Sequence, residues 1–213
     1  LPIAVNHNKK DQLFISDSGN RRIINLAKNN DLLNSFLLTG STSSPNELRE
    51  LSNGNILSIG LKLDNTKDFN CGDYCTVFSP KGELLYSFGY NPQIVFDSNY
   101  WVGVSSVAEL DDAGKIYHVF NIEGIIKVYD YNGKLLKQLD YSPAWFNPPN
   151  AIKKLTTFKI EDEPEGFRFS WPRVIKLLYI GDNKMIVVGE TTGIKDAPSR
   201  FVYDVITTDG QVL

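Results

Sequence analysis

The chain has 213 residues, of which 42% are hydrophobic and 12% aromatic, and its net charge of −3 is dispersed without charge blocks. This length allows one large all-β unit with a packed core, and the lack of a basic block argues against nucleic-acid binding. No run approaches 18 consecutive apolar residues, so the sequence contains no membrane-spanning helix.

Short apolar strands and polar turns recur along the chain in a constant order. Four turns align at Asn30, Gly82, Gly133 and Gly210, at spacings of 52, 51 and 77 residues. In the first repeat the strands IAV, LFIS and RRIINL precede the turn and LLNSF follows it. Turns rich in Asn, Asp and Gly favour tight hairpins, because several turn positions need a positive φ. The sequence therefore predicts four antiparallel four-stranded units, over residues 1–39, 47–89, 104–140 and 174–213, with an insertion at 141–173.

A four-stranded unit at this period is typical of a β-propeller blade, which packs both of its faces against neighbouring blades. We therefore predict an all-β propeller that forms a single domain over residues 1–213. A β-sandwich is the alternative, although a sandwich would not repeat its own four-strand pattern.

The first repeat carries the most specific motif, LFISDSGNRRIINL. Its second strand ends in Asp17, and Gly19, Asn20, Arg22 and Ile23 follow. This segment resembles the NHL repeat, in which a strand ends in Asp and a Gly-Asn-x-Arg-Ile turn enters the third strand. We expect Asp17 to cap the backbone amides of the turn, Gly19 to relieve steric cost there, and Arg22 to pair with Asp17 or with a neighbouring blade, which is a structural role.

The other repeats keep the strand rhythm without this motif, so the chain as a whole resembles divergent NHL-like or TolB-like six-bladed propellers of bacterial secreted proteins and lipoproteins. The resemblance implies that the four visible blades are part of a six-bladed ring, and a closed four-bladed ring is the alternative. It also implies an extracytoplasmic location, in the periplasm, at the cell surface or secreted. Because the chain starts with Leu-Pro rather than Met, we expect a leader, tag or pro-segment before Leu1. The resemblance to lipoproteins also allows a lipid anchor there.

The only two cysteines, Cys71 and Cys75, lie in the short segment CGDYC. In an oxidising compartment they can close a tight local disulfide. Two reduced thiols are the alternative, and a structural zinc site is not expected because no second Cys or His pair lies nearby.

The predicted connections differ in length at the two ends of each sheet. First-to-second and third-to-fourth turns are tight, whereas the long connections are 61–74, 89–103, 141–173 and 190–199. Since rigid scaffolds display functional loops, we predict that the long-loop end binds a protein or glycan partner. Aromatic residues dominate interface energetics, and the candidate anchors are Tyr100, Trp101, Trp145, Phe146 and Trp171. Alternatively, these rings pack onto the blades and cover the core.

An active site is the rival interpretation, because the propellers that this chain resembles include metal-dependent lactonases and a lyase with histidine-bound zinc. A three-histidine site is impossible with only His7 and His118. We expect His7 in a tight turn and His118 packed and hydrogen-bonded in a second strand. The inner strands IAV, LREL, VAEL and LLYI offer few carboxylates, Glu50 and Glu109 being exceptions. We therefore predict a binding or scaffold module without metal or cofactor. The alternative is a hydrolase or lyase with a carboxylate-bound divalent cation at the central channel, and a purely structural role as one domain of a larger assembly fits the sequence equally well.

Overall fold

The structure, a computed structural model, describes residues 2–7, 11–38, 45, 47–60, 75–89, 106–120, 125–139, 141, 143, 145, 173–191 and 200–213. These residues form fifteen β-strands in four antiparallel sheets, and one 3-10 turn, Ser18–Asn20, is the only helical segment among them. The predicted all-β class is confirmed. The chain divides into two compact units, Leu1–Asn91 with Tyr131–Lys134, and Pro92–Asp130 with Leu135–Leu213.

The first unit contains two four-stranded sheets whose strands are hydrogen-bonded in chain order. Sheet 1 consists of β1 (Pro2–His7), β2 (Leu13–Asp17), β3 (Arg22–Leu26) and β4 (Leu32–Leu37). Sheet 2 consists of β5 (Glu47–Glu50), β6 (Ile56–Ile59), β7 (Cys75–Phe78) and β8 (Leu84–Phe88). Side chains alternate between the two faces of a strand, and the buried ones pack into a core that includes Phe14, Ile23, Leu48, Ile56 and Phe78.

The second unit contains sheets 3 and 4. Sheet 3 consists of β9 (Ser106–Leu110), β10 (Ile116–Phe120), β11 (Ile126–Tyr129) and β12 (Leu135–Gln138). Sheet 4 has three strands, β13 (Arg173–Gly181), β14 (Lys184–Thr191) and β15 (Arg200–Thr207), and a single bridge joins Ile206 to Val212. The buried side chains of both sheets form one cluster, the second-unit core, which includes Val119, Ile126 and Val128 from sheet 3 and Leu177, Val187 and Ile206 from sheet 4.

The turns between third and fourth strands have the geometry that the repeat predicts. The amides of Asn30, Gly82 and Gly210 each donate a hydrogen bond of 2.9 Å to the carbonyl three residues earlier. These residues and Gly133 all have positive φ, between 68° and 91°. Gly adopts this conformation at little cost and Asn at less cost than most other residues, which explains why those residue types recur at the aligned position.

Within the first unit, a phenylalanine of each fourth strand packs directly on such a turn glycine. A Cβ added to Gly82 would lie 2.3 Å from Cγ of Phe36, and one added to Gly133 would lie 2.6 Å from Cδ1 of Phe88. Any side chain there would overlap the ring, so the glycines are required by packing as well as by backbone conformation. This contact occurs at the same place in successive repeats.

The motif that begins at Asp17 turns a corner, as predicted. Its carboxylate accepts hydrogen bonds from the backbone amide of Asn20 (3.4 Å), from Nδ2 of Asn20 (2.8 Å) and from Nε of Arg22 (2.9 Å). The hydrogen bonds from Asn20 and Arg22 hold the pKa of Asp17 below its usual range. The expectation for Gly19 is corrected, because Gly19 lies within the 3-10 turn and the positive φ falls on Arg21, at 51°.

Candidate functional site

Long connections leave the same end of their sheets, as strand directions require. In sheet 2 the segment 61–74 joins β6 to β7, and in sheet 4 the segment 192–199 joins β14 to β15. At the opposite end the turns are tight and closed by backbone hydrogen bonds, for example from the amide of Gly54 to Leu51 (2.9 Å) and from that of Gly114 to Asp111 (3.0 Å). Sheets 2 and 4 therefore have a tight-turn end and a long-loop end, whereas short connections, residues 18–21 and 121–125, join the second and third strands of sheets 1 and 3.

Of the predicted aromatic anchors, Trp145 is the one that the described residues include. Tyr100, Trp101, Phe146 and Trp171 lie outside the described residues. The predicted disulfide also lies outside them, because Cys71 is not described, and Cys75 is a buried residue at the start of β7.

Trp145 packs against the face of sheet 4 that lines the second-unit core. Its indole Nε1 donates a hydrogen bond of 2.9 Å to Oδ2 of Asp204 in β15. The ring covers Gly189 in β14 so closely that an added Cβ would lie 2.1 Å from Cη2 of the indole. The side chain is partly buried, so this tryptophan is fixed by packing and by a charged acceptor.

Tyr141 meets the same carboxylate from within the core. Its hydroxyl donates a hydrogen bond of 2.7 Å to Oδ2 of Asp204, and burial together with this carboxylate raises the pKa of the phenol. Asp204 pairs with Val187 across the sheet, on the core-facing side. One carboxylate oxygen thus binds two donors from the start of the 141–173 stretch, and we call Tyr141, Trp145, Asp204 and Gly189 the loop anchor.

Sequence reasoning missed Asp204, although a signal was present. In the strand RFVYDVIT, Val202 and Ile206 alternate toward the core, and Asp204 occupies the position between them. A carboxylate at such a position requires hydrogen-bond partners, which predicts that donors approach from elsewhere in the chain. The identity of those donors could not be read from the strand itself.

The histidines do not form a catalytic centre in the described residues. His118 is fully buried in β10 with its ring edge-on to Phe120, 4.7 Å between centroids. Burial, with the charge of Lys127, lowers its pKa to about 3, so its ring is neutral near pH 7. The packed position is as predicted, but neither ring nitrogen has a hydrogen-bond partner among the described residues. His7 is the last residue of β1, paired with Leu13, rather than a turn residue.

The described part of the chain contains no group of three or more His, Cys, Asp and Glu residues that could hold a metal ion. Glu50 and Glu109 lie on the first strands of sheets 2 and 3, β5 and β9, as predicted. No helix within the described ranges is long and apolar enough to cross a membrane.

No protein-family model matches the chain, and no curated protein sequence matches it. Among solved structures it is similar to a member of the DUF4221 family from Bacteroides vulgatus, with 9% identity and a TM-score of 0.63, over 96% of this chain and 63% of that one. A Bacteroides caccae protein of unknown function matches the whole chain with 10% identity and a TM-score of 0.58, over 65% of its own length. Virginiamycin B lyase from Staphylococcus aureus also matches the whole chain, with 12% identity, a TM-score of 0.54 and 68% of its own length covered.

At these identities the similarity concerns the fold alone. With four successive sheets built in chain order, it confirms the predicted β-propeller of four-stranded blades. The chain spans less than two thirds of the length of the two Bacteroides proteins, at 63% and 65%.

Proposed function

We propose that this chain is part of a binding module that presents the long-loop end of its propeller blades to a protein or glycan partner outside the cytoplasm. The observation that carries the proposal is the asymmetry between the two ends of sheets 2 and 4. Tight turns close one end, whereas the other end carries the connections 61–74 and 192–199 and the stretch 140–172. Loops on a rigid scaffold are the usual place for recognition.

The loop anchor explains how such a stretch is prepared for binding. Two donors from residues 141 and 145 reach Asp204 at 2.7 and 2.9 Å, and they tie the beginning of the stretch to β15. A segment that is held before the partner arrives loses less conformational entropy on binding, which favours affinity. Trp145 then positions the stretch 141–173, and the predicted anchors that contact the partner are Phe146, Trp171, Tyr100 and Trp101.

The finer assignment is an NHL-like or TolB-like six-bladed propeller, secreted or held by a lipid anchor that precedes Leu1. The Asp17 network supports the NHL-like assignment, since Asn20 and Arg22 bind the carboxylate where the repeat's motif has them. Protease accessibility on intact cells of the source organism tests the location. Resistance of the protein until the cells are lysed would contradict a surface-exposed or secreted form, and resistance after selective permeabilisation of an outer membrane would also contradict a periplasmic one.

Binding is tested with the purified, labelled chain on a glycan array and on the extracytoplasmic protein fraction of the source organism. Phe146→Ala combined with Trp171→Ala should reduce binding strongly if these residues are the hot spots of the interface, because truncation of a hot-spot residue costs roughly 2 kcal/mol or more. Tyr131→Ala is the matched control, since Tyr131 is an exposed aromatic in a tight turn. Equal loss in the control and in the double variant would contradict the proposal. Turnover of a bound glycan that EDTA abolishes would favour the metal-dependent hydrolase or lyase instead.

A further inference from the structure

The outer edge of sheet 1 is formed by β4, which together with the residue after it has the sequence LLNSFLL, without a charged residue or a proline. β4 pairs with β3 along one side, and no strand of the described residues pairs with its other side. Exposed edge strands are usually protected against further pairing by charged side chains, above all Lys, or by Pro. β4 lacks this protection, whereas the outer strand of sheet 3, β12, carries Lys137.

The exposed face of β4 has a leucine at each end. Leu33, Ser35 and Leu37 alternate with Asn34 and Phe36, so the first three share one face of the strand. All three are exposed, Leu33 at 48% and Leu37 at 64%. We call Leu33, Ser35 and Leu37 the β4 edge.

The outer strands of the next two repeats differ from β4. When the repeats are aligned on their turns, the leucine near the start of the strand recurs as Leu85 in β8 and as Leu136 in β12. Leu37, in contrast, corresponds to Gly89 and to Asp140. Of these three strands, β4 is therefore the one with an apolar side chain at both positions.

The backbone of β4 can form hydrogen bonds along its free side. The amide of Leu38 donates a hydrogen bond of 2.7 Å to the carbonyl of Arg21, which continues the pairing of Leu37 with Arg22. Hydrogen-bonded and non-hydrogen-bonded residues alternate along an antiparallel pair. Ser35 and Leu37 therefore direct their amides and carbonyls away from β3, where a docked strand can bind them.

We propose that β4 pairs antiparallel with β4 of a second copy of this chain, about a two-fold axis at Ser35. The strand specifies this occupant because LLNSFLL is nearly its own reverse, with only Asn34 and Phe36 exchanged. In this register Ser35 lies opposite Ser35 of the second copy, and each Leu33 lies opposite a Leu37. Exposed leucines then meet leucines, no charged residue is brought into the pairing, and one two-fold contact covers both free edges. The proposal is independent of the binding function, which concerns the long-loop end.

Sedimentation velocity of the 213-residue chain over a range of protein concentrations tests the proposal. The chain should show a monomer–dimer equilibrium. Ser35→Lys should weaken self-association by roughly tenfold or more, because it places two like charges opposite each other across the axis. Leu136→Lys is the matched control, since Leu136 is 48% exposed, as Leu33 is, but lies in the outer strand of sheet 3; it should leave self-association unchanged.

Ser35→Cys measures the position of the axis independently. Opposite residues of a hydrogen-bonded antiparallel pair have Cα atoms about 5.5 Å apart, which is within the range of a disulfide. Mild oxidation should therefore link two Ser35→Cys chains through position 35, as peptide mapping by mass spectrometry would show. Leu136→Cys should not link in this way.

A chain that stays monomeric at every concentration would overturn the proposal, whether its edge stays free or pairs with a peptide of another protein. Self-association that Ser35→Lys leaves unchanged would overturn it too. Cross-linking of Ser35→Cys that is no faster than that of Leu136→Cys would exclude an axis at Ser35.

Discussion

Gly189→Ala tests whether Trp145 is fixed against sheet 4. The new Cβ would lie 2.1 Å from Cη2 and 2.3 Å from Cζ3 of the indole, whereas carbon atoms in contact are about 3.5–4.0 Å apart. Gly189 is not one of the residues with a positive φ, so alanine causes no backbone strain there. The methyl group is accommodated only if the indole moves by more than about 1 Å, which disrupts its hydrogen bond to Asp204.

The expected cost follows from these contacts. Overpacking costs about 1–3 kcal/mol, and the lost hydrogen bond to a carboxylate costs about 1.5–3 kcal/mol, at the low end here because the site is only partly buried. Alanine in place of glycine within a strand returns about 0.5–1 kcal/mol. Gly189→Ala should therefore lower the free energy of unfolding by about 1.5–4 kcal/mol.

Urea unfolding followed by far-UV circular dichroism measures this difference, and hydrogen exchange in β14 and β15 locates it within the second unit. The matched background is Trp145→Ala, in which the indole is absent and the methyl group has room. There Gly189→Ala should be close to neutral. If it costs as much there as in the parent chain, the contact with Trp145 is not the cause and the reasoning is refuted.

Three further predictions follow from the fold. His118 binds a proton only near pH 3 when folded and near 6.5 when unfolded; stability should therefore fall by about 2 kcal/mol between pH 7 and pH 5 in denaturant titrations, and His118→Leu should remove that slope. Gly54→Ala should lower the free energy of unfolding by about 1–2 kcal/mol, because Gly54 has a positive φ. Gly82→Ala should lower it by about 1–3 kcal/mol more, because the new Cβ would also overlap Phe36. Equal losses for the two variants would contradict the contact with the Phe36 ring. Asp17→Asn should lower the melting temperature at pH 7. This difference should disappear as the pH falls through 3.8 and below, because hydrogen bonding lowers the folded pKa of Asp17. A difference that stays constant with pH would show that the ionised carboxylate is not the source of the stabilisation.

Features that depend on neighbours close in the chain were predictable from the sequence. The aligned turn residues need a positive φ, and Asn30 and Gly82 satisfy that need within their own hairpins. The hydrogen bonds of Asp17 join it to residues three and five positions along the chain, so the residue types of the motif predict them. The role expected of Gly19 is the exception. Arg21, and not Gly19, has the left-handed backbone conformation, because Gly19 lies in the 3-10 turn that precedes Arg21.

The sequence alone determined the all-β class, the four repeats and the difference between tight-turn and long-loop ends, because strand periodicity and turn chemistry act over a few residues. Only the tertiary structure showed that Trp145 and Tyr141 meet Asp204, across 59 and 63 residues of chain. Only it distinguished Tyr203, which is exposed, from Ile126, which is buried at the same repeat position. An aromatic and a β-branched residue suit a strand equally well, and what differs is whether side chains of another described sheet pack on them, which no local pattern encodes.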